Sequence, residues 1–278
     1  NTGTGTDTIR LGLPDENAPG LRSLSGFALG QSRGVRVLIH GQTADTVSFF
    51  DTANTAGTSL AFVQQQFTDI FPEQPPVADP LATPETWKDI LTRAFNATPL
   101  GSYATVSLAP QNSASALPMS VNVFGGENEN GFAQLSAHLG SGADNILLAA
   151  GIQAFSVAAY AGGGDDTFTI EPGFSNAGAE AVLYGESEND TLFMSFAEAA
   201  SSVATAAFAV SFEGGVHTLG GGDRVELLGN GELEGKYSPH SAATGSGVLT
   251  VGSGKIQFSG LEPVTVRGFA DFQVVTDD

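Results

Sequence analysis

Residues 162–170 read GGGDDTFTI, a glycine-rich turn that leads through two acids into a short alternating tail. Glycine adopts the positive φ angles of tight corners without steric cost. The tail, residues 167–170, alternates polar and apolar side chains, which predicts a strand with one buried face. This stretch therefore predicts a turn followed by a β-strand, with Asp166 at the junction.

The same phrase recurs along the chain. VAAYAGGGDDTFTI (157–170) aligns with AVLYGESENDTLFM (181–194), and LGSGADNILL (139–148) is a shorter version. Three aspartates hold the equivalent position after the turn: Asp144, Asp166 and Asp190. Their spacing of 22 and 24 residues is roughly one coil of a parallel β-solenoid, in which each coil buries its inner face against the next. We expect these three residues to lie near one another along one edge of a parallel stack.

Weaker copies extend the pattern over most of the chain. They carry an acid or amide at the same position: Asp7, Asp45, Asn130, Asp223 and Asp271. Four apolar residues of the tails are predicted to point inward as vertical ladders: Phe168, Ile170, Leu192 and Met194. The prediction for the whole chain is an all-β fold, an irregular parallel β-solenoid or β-helix with one inserted helical segment.

Three regions follow from this repeat. Residues 1–60 are predicted to be N-terminal β repeats, residues 61–117 an irregular insertion, and residues 118–278 solenoid repeats. Within the insertion, TPETWKDILTRAF (83–95) predicts a helix, because Thr83 suits the N-cap and apolar residues follow at helical spacing. Both terminal segments resemble the repeat, so we expect the stack to continue into further modules or a second subunit.

Composition excludes several classes of function. The chain carries 30 Asp and Glu against 10 Lys and Arg, a formal net charge of −20. Such a charge repels phosphate backbones and anionic lipid, so we predict no nucleic-acid binding. No apolar run approaches the roughly 20 residues of a membrane-spanning helix, so no membrane insertion is predicted. The chain has no cysteine, which excludes disulfides and thiolate metal sites.

GGGDDTFTI and LGSGADNILL resemble the nonapeptide of RTX (haemolysin-type) repeats, whose turns bind calcium between coils. The resemblance implies Ca²⁺ as a cofactor, since carboxylates and turn carbonyls are the hard oxygen ligands that this ion prefers. The predicted metal ligands are Asp144, Asp165, Asp166, Asp190, Asp45 and Asp223. In GESEND (185–190), Glu186, Ser187 and Glu188 stand where the repeat has glycines, and for such turns hydrogen bonds alone are the alternative to an ion.

HGQTADTVSFFDTANTAGTSL (40–60) and GSGKIQFSGLEPVTVRGF (252–269) also resemble degenerate repeats of very large exported bacterial surface proteins. This likeness implies a structural or adhesive module at the cell surface, an adhesin or S-layer component that self-associates or binds neighbouring modules. It implies no enzyme activity. Two alternatives stay open: a calcium-dependent module that binds cell-surface glycans through Trp87 or Tyr160, and a β-helix polysaccharide enzyme that uses Asp165 and Asp166 as acid and base.

Overall fold

The chain forms two β-sheets in the computed structural model. The structure describes residues 8–11, 36–40, 45–52, 54–66, 102–110, 119–124, 134–151, 156–174, 180–197, 207–217, 221–241 and 243–276. Every regular element within these ranges is a strand. The prediction of an all-β chain with parallel strands is therefore confirmed for this part of the molecule.

Sheet A contains ten of the described strands. In spatial order they are β1 (Thr8–Leu11), β3 (Thr46–Phe50), β7 (Gln134–His138), β9 (Ser156–Tyr160), β11 (Ala181–Ser187), β13 (Ala209–Val216), β17 (Gly254–Ser259), β16 (Gly247–Val251), β15 (Glu234–Pro239) and β19 (Asp271–Val274). The first seven strands of this order, from β1 through β13 to β17, pair in parallel.

Sheet B contains nine of the described strands. In spatial order they are β18 (Leu261–Arg267), β14 (Asp223–Leu228), β12 (Thr191–Ser195), β10 (Thr167–Ile170), β8 (Asn145–Leu148), β4 (Thr58–Gln66), β5 (Ser102–Pro110), β6 (Met119–Phe124) and β2 (Arg36–His40). Strands β18 to β4 in this order pair in parallel.

Six successive coils build the centre of the molecule. Each coil consists of a strand in sheet A followed along the chain by a strand in sheet B: β3–β4, β7–β8, β9–β10, β11–β12, β13–β14 and β17–β18. Neighbouring coils pair in register, so that Phe168 lies beside Ile146 on one side and Leu192 on the other. This repeated crossing between two parallel sheets is compatible with a β-solenoid.

The two ends of the stack are built in a similar way. In sheet A, β16 pairs antiparallel with β17 and β15, and β19 then pairs parallel with β15. In sheet B, β5 pairs antiparallel with β4 and β6, and β2 then pairs parallel with β6. Each sheet therefore has one strand, β16 or β5, that runs against all its other described strands.

The hydrophobic core lies between the two sheets. Phe168, Ile170, Leu192 and Met194 are fully buried, as the alternation of the repeat predicts. Phe168 of sheet B meets Phe212 of sheet A edge to face, with 5.5 Å between ring centroids. Edge-to-face aromatic pairs add stability beyond the area that they bury.

Part of the predicted irregular insertion is β-structure. Strand β4 continues to Gln66, and the antiparallel strand β5 covers Ser102–Pro110. Phe62 and Val106 are fully buried at paired positions of these strands, so their packing extends the core into this region. The helix predicted at 83–95, with Trp87, lies outside the described residues. No helix in the described part of the chain is long and apolar enough to cross a membrane.

Candidate functional site

The aspartates of the repeat form one column at the edge of sheet B. Asp144, Asp166 and Asp190 directly precede β8, β10 and β12, and Asp223 opens β14. Because these four strands pair in parallel register, the four residues stack on successive coils. Their exposed fractions are only 2%, 1%, 0% and 0%. The predicted proximity of Asp144, Asp166 and Asp190 is confirmed, and we call these three residues together with Asp223 the aspartate column.

Each carboxylate of the column holds the backbone of the preceding coil. Oδ1 of Asp166 accepts a 2.6 Å hydrogen bond from the amide of Asp144, and Oδ1 of Asp190 accepts a 2.9 Å bond from the amide of Asp166. Oδ1 of Asp223 accepts a 2.8 Å bond from the amide of Asp190. Since buried amides need a partner, these bonds satisfy donors at the start of each strand.

The carbonyls of the column bind in the opposite direction. The amide of Thr167 donates to the carbonyl of Asp144 at 2.9 Å, and the amide of Thr191 donates to the carbonyl of Asp166 at 2.8 Å. Asp144, Asp166 and Asp190 thus each receive one bond from the preceding coil through the side chain and one from the following coil through the backbone carbonyl. The column links the turns of neighbouring coils in both directions.

In the coil β3–β4, a threonine occupies the position that the column aspartates occupy in the next four coils. Thr58 precedes the residue that pairs with Asn145, and its amide donates to Oδ1 of Asp144. Oγ1 of Thr58 donates in turn to Oδ2 of Asp51 at 2.7 Å, and Asn54 also donates to this carboxylate. Sequence reasoning missed Asp51, because it follows a sheet A strand and lies seven residues before the position it serves.

The second oxygen of each column carboxylate is enclosed by protein. Within the described part of the chain, Oδ2 of all four aspartates is buried and makes no hydrogen bond. A Cβ atom added at Gly185 would overlap Oδ2 of Asp190, and one added at Gly214 would overlap Oδ2 of Asp223. Glycine is therefore needed at these two positions because a side chain would collide with the carboxylates, and not because the backbone adopts a positive φ angle.

Burial changes the protonation of the column. It raises the pKa of Asp166 to about 9, against the opposing hydrogen bond from the Asp144 amide and with added repulsion from neighbouring carboxylates. Burial also raises the pKa of Asp144 and of Asp190 to about 7, and it raises the pKa of Asp223. A buried carboxyl group takes up a proton when no cation compensates its charge. At Asp223 the rise in pKa is opposed by the amide of Asp190 and by His217, whose Nδ1 lies 3.7 Å from Oδ2. At neutral pH the column therefore carries less charge than the sequence suggests.

Asp165 and Asn189 form a second, outer link between two turns. Oδ1 of the exposed Asp165 accepts from the backbone amide of Asn189 at 3.2 Å and from its Nδ2 at 3.1 Å. Oδ1 of Asn189 accepts from the amide of Gly222 at 2.9 Å. Asp165 and its neighbour Asp166 thus have different surroundings, one in solvent and one buried, which does not favour the acid and base pair considered from the sequence.

The six predicted calcium ligands do not converge on one point. Asp45 is buried, but it precedes β3 in sheet A, whereas the aspartate column lies at the edge of sheet B. In the described part of the chain, no three His, Cys, Asp or Glu side chains are grouped as a metal site. Calcium takes six to eight oxygen ligands, while Oδ1 of each column carboxylate accepts a bond from a backbone amide and Oδ2 is enclosed by protein. Calcium binding at these six residues stays a prediction.

An aromatic column runs along the face of sheet A that points away from the core. Phe50 stacks on His138, His138 on Tyr160, and Tyr160 on Tyr184, with centroid separations of 4.7, 4.4 and 4.6 Å. The planes of successive rings lie within 9° of parallel. Both faces of Tyr160 are covered by its neighbours, so the proposed role of Tyr160 as a platform under a sugar is wrong. The four rings instead link four coils of the stack.

Comparisons with models of protein families, with curated proteins and with solved structures found no match for this chain.

Proposed function

We propose that this chain is a structural module of an exported bacterial surface protein, a parallel β-solenoid that self-associates and is not an enzyme. The observation that supports this most is the use of the repeat acids. The carboxylates of Asp166, Asp190 and Asp223 each bind the backbone of the adjacent coil and are closed off from solvent. A catalytic or ligand-binding carboxylate needs access to its substrate, whereas these serve cohesion between coils.

Calcium belongs to this proposal through the exposed acids. A net charge of −20 makes the folded chain repel itself, and bound cations relieve such repulsion. Surface carboxylates such as Asp165 and Glu188 are open to solvent, while the aspartate column is not. The location at the cell surface comes from the resemblance to repeats of exported proteins.

Electron microscopy and light scattering of the purified protein test this proposal. We expect ordered polymers that become larger or more regular when calcium is added to a sample first treated with a chelator. A protein that stays monomeric up to millimolar concentration, with and without calcium, would overturn the self-assembling role. Hydrolysis of a bacterial polysaccharide that is lost in an Asp165→Asn variant would overturn the absence of enzyme activity.

Binding of a surface glycan is a second candidate, favoured by one groove. A cavity of about 340 Å³ lies on the face of sheet A away from the core, and its lining includes Tyr184, Glu213 and Gln257. Tyr184 ends the aromatic column, so within the described residues one of its faces carries no second ring. A Tyr184→Ala variant should lose glycan binding, and Tyr160→Ala, inside the column, should keep it. Equal binding by both variants would reject this groove.

A further inference from the structure

The two outermost described strands of sheet A are β1 and β19, at opposite ends of the sheet. Strand β19 pairs in parallel with β15, and two antiparallel steps through β16 restore the direction of β17. Strand β19 therefore runs in the same direction as β1. A second copy of the chain, shifted along the stack without rotation, would place its β1 parallel to β19.

The core column of sheet A reaches both of these strands. Residues at paired positions follow one another across the sheet, with side chains on the same face. The column consists of Ile9, Val47, Leu135, Val157, Ala181, Val210, Ile256, Leu249, Tyr237 and Val274. Its members from Val47 to Leu249 are at most 2% exposed, whereas Val274 at the end is 63% exposed. The core is thus open to solvent at β19.

The ends of the stack are stepped in a complementary way. Beyond the coil β17–β18, sheet A adds three described strands and sheet B adds none. Beyond the coil β3–β4, sheet B adds three described strands and sheet A adds one. When copies are stacked by translation, four strands of sheet A face three of sheet B at the joint. The two sheets then match to within one strand spacing, about 4.8 Å.

We propose that β1 of a second copy of this chain pairs in parallel with β19, with Ile9 of that copy beside Val274. The joint adds hydrogen bonds at two strand edges and covers Val274 with an apolar neighbour. Because the contact is head to tail, it repeats and produces an open filament rather than a closed dimer. This joint rests on the proposed self-assembling function and specifies the surfaces that carry it.

Disulfide trapping tests the joint, because the chain has no cysteine of its own. The test variant carries Ile9→Cys and Val274→Cys. Within one chain these positions are nine strand spacings apart, about 43 Å, so no internal disulfide can form. Across the proposed joint they lie on adjacent strands, within the Cα separation that a disulfide requires. We expect oxidation to give a ladder of covalent multimers on a non-reducing gel.

The matched control carries Ile9→Cys and Val216→Cys. Val216 is 75% exposed and ends β13 in the middle of sheet A, so its thiol is accessible but distant from the joint. The control should give at least tenfold less cross-linked product at the same concentration. If the double variant does not fold, a mixture of the single variants Ile9→Cys and Val274→Cys should give a disulfide-linked dimer.

The outcomes separate the joint from the function on which it rests. Cross-linking that is specific for positions 9 and 274 supports the joint. Polymers in light scattering with equal cross-linking of test and control variants overturn the joint and leave the self-assembling function standing. A protein that is monomeric throughout overturns both.

Discussion

The backbone amide of Asp166 donates a 2.9 Å hydrogen bond to Oδ1 of Asp190, which lies 24 residues later and one coil further along the stack. Both residues are buried, so neither group has ready access to water as an alternative partner. The same link recurs between Asp144 and Asp166 and between Asp190 and Asp223. These side chains thereby join the turns of neighbouring coils, directly before the strands of the same coils pair with each other.

Removal of one carboxylate should weaken the contact between two coils. An Asp166→Ala variant leaves the buried amide of Asp144 without its acceptor, which costs about 1–3 kcal/mol. We expect a decrease of this size in the free energy of unfolding, measured by urea denaturation. Asp165→Ala is the matched control, because the two bonds that its carboxylate accepts from Asn189 are exposed to water, and it should cost about 0.5 kcal/mol or less. Equal losses in both variants would contradict a structural role of the buried column.

The stability of the protein should fall as the pH rises through the neutral and alkaline range. Burial raises the pKa of Asp166 from 3.8 to about 9, so between these values the folded state binds a proton that the unfolded state releases. Stability contributed by this proton is fully present below pH 3.8 and is lost as the pH rises through 9. Within that window, the free energy of unfolding falls by about 1.4 kcal/mol per unit of rising pH for each such group.

An Asp166→Asn variant isolates this effect, because the amide keeps an acceptor oxygen and cannot ionise. Urea denaturation at pH 5, 7 and 9 should show a smaller loss of stability for this variant than for the parent protein. The Asp165→Asn variant removes only a minor repulsion, so it should keep most of the loss of stability that the parent protein shows. Parallel profiles for Asp166→Asn and the parent protein would show that Asp166 does not carry the proton.

Alanine at Gly185 should destabilise the fold by crowding. The added Cβ would overlap Oδ2 of Asp190 and the carbonyl oxygen of Gly214. Overpacking of this kind costs about 1–3 kcal/mol, and we expect a lower melting temperature by differential scanning calorimetry. Gly163→Ala is the control, because its nearest neighbour is the side-chain Oγ of Ser187 at 3.0 Å, which can move. A Gly185→Ala protein as stable as the control would argue against the tight packing of the column.

Calcium should raise the melting temperature through the exposed acids. The net charge of −20 favours cation binding, and the column carboxylates are buried, with Oδ1 of each bound to a backbone amide. Millimolar calcium should therefore shift the parent and the Asp166→Asn variant by the same amount, and a chelator should reverse both shifts. No shift in the parent protein would remove the calcium prediction. A shift that disappears only in Asp166→Asn would place the ion in the column.

Local sequence patterns were sufficient to predict the stack of coils, but not the hydrogen bonds that join one coil to the next. The spacing of Asp144, Asp166 and Asp190 predicts that they lie on neighbouring coils. One coil of a solenoid brings the chain back to the same edge of the sheet, so equivalent residues recur there at intervals of one coil. Alternation from Thr167 to Ile170 predicts the buried face for the same local reason. The place of Asp223 in this column is less regular, since 33 residues separate it from Asp190.

Contacts between distant segments could not be predicted from the repeat. Thr58 replaces the aspartate in the first coil and depends on Asp51, and its amide meets Asp144 across 86 residues. Strands β5 and β16 pair antiparallel with their neighbours. Their own sequences do not specify which strand edge they pair with or in which direction. Nor does the sequence show that a carboxylate will bind an amide of another coil.

A titration of the aspartate carboxyl groups by carbon-13 NMR tests most directly whether the column is a set of buried acids that hold the coils together. We predict that Asp144, Asp166 and Asp190 titrate as a coupled set between pH about 7 and 9, with Asp166 last, and that the pKa of Asp223 is raised above its usual range. Their signals at pH 7 should not move when millimolar calcium is added. Titration near pH 4, with column signals that shift on calcium addition, would contradict this interpretation and identify the aspartates as ionised ligands.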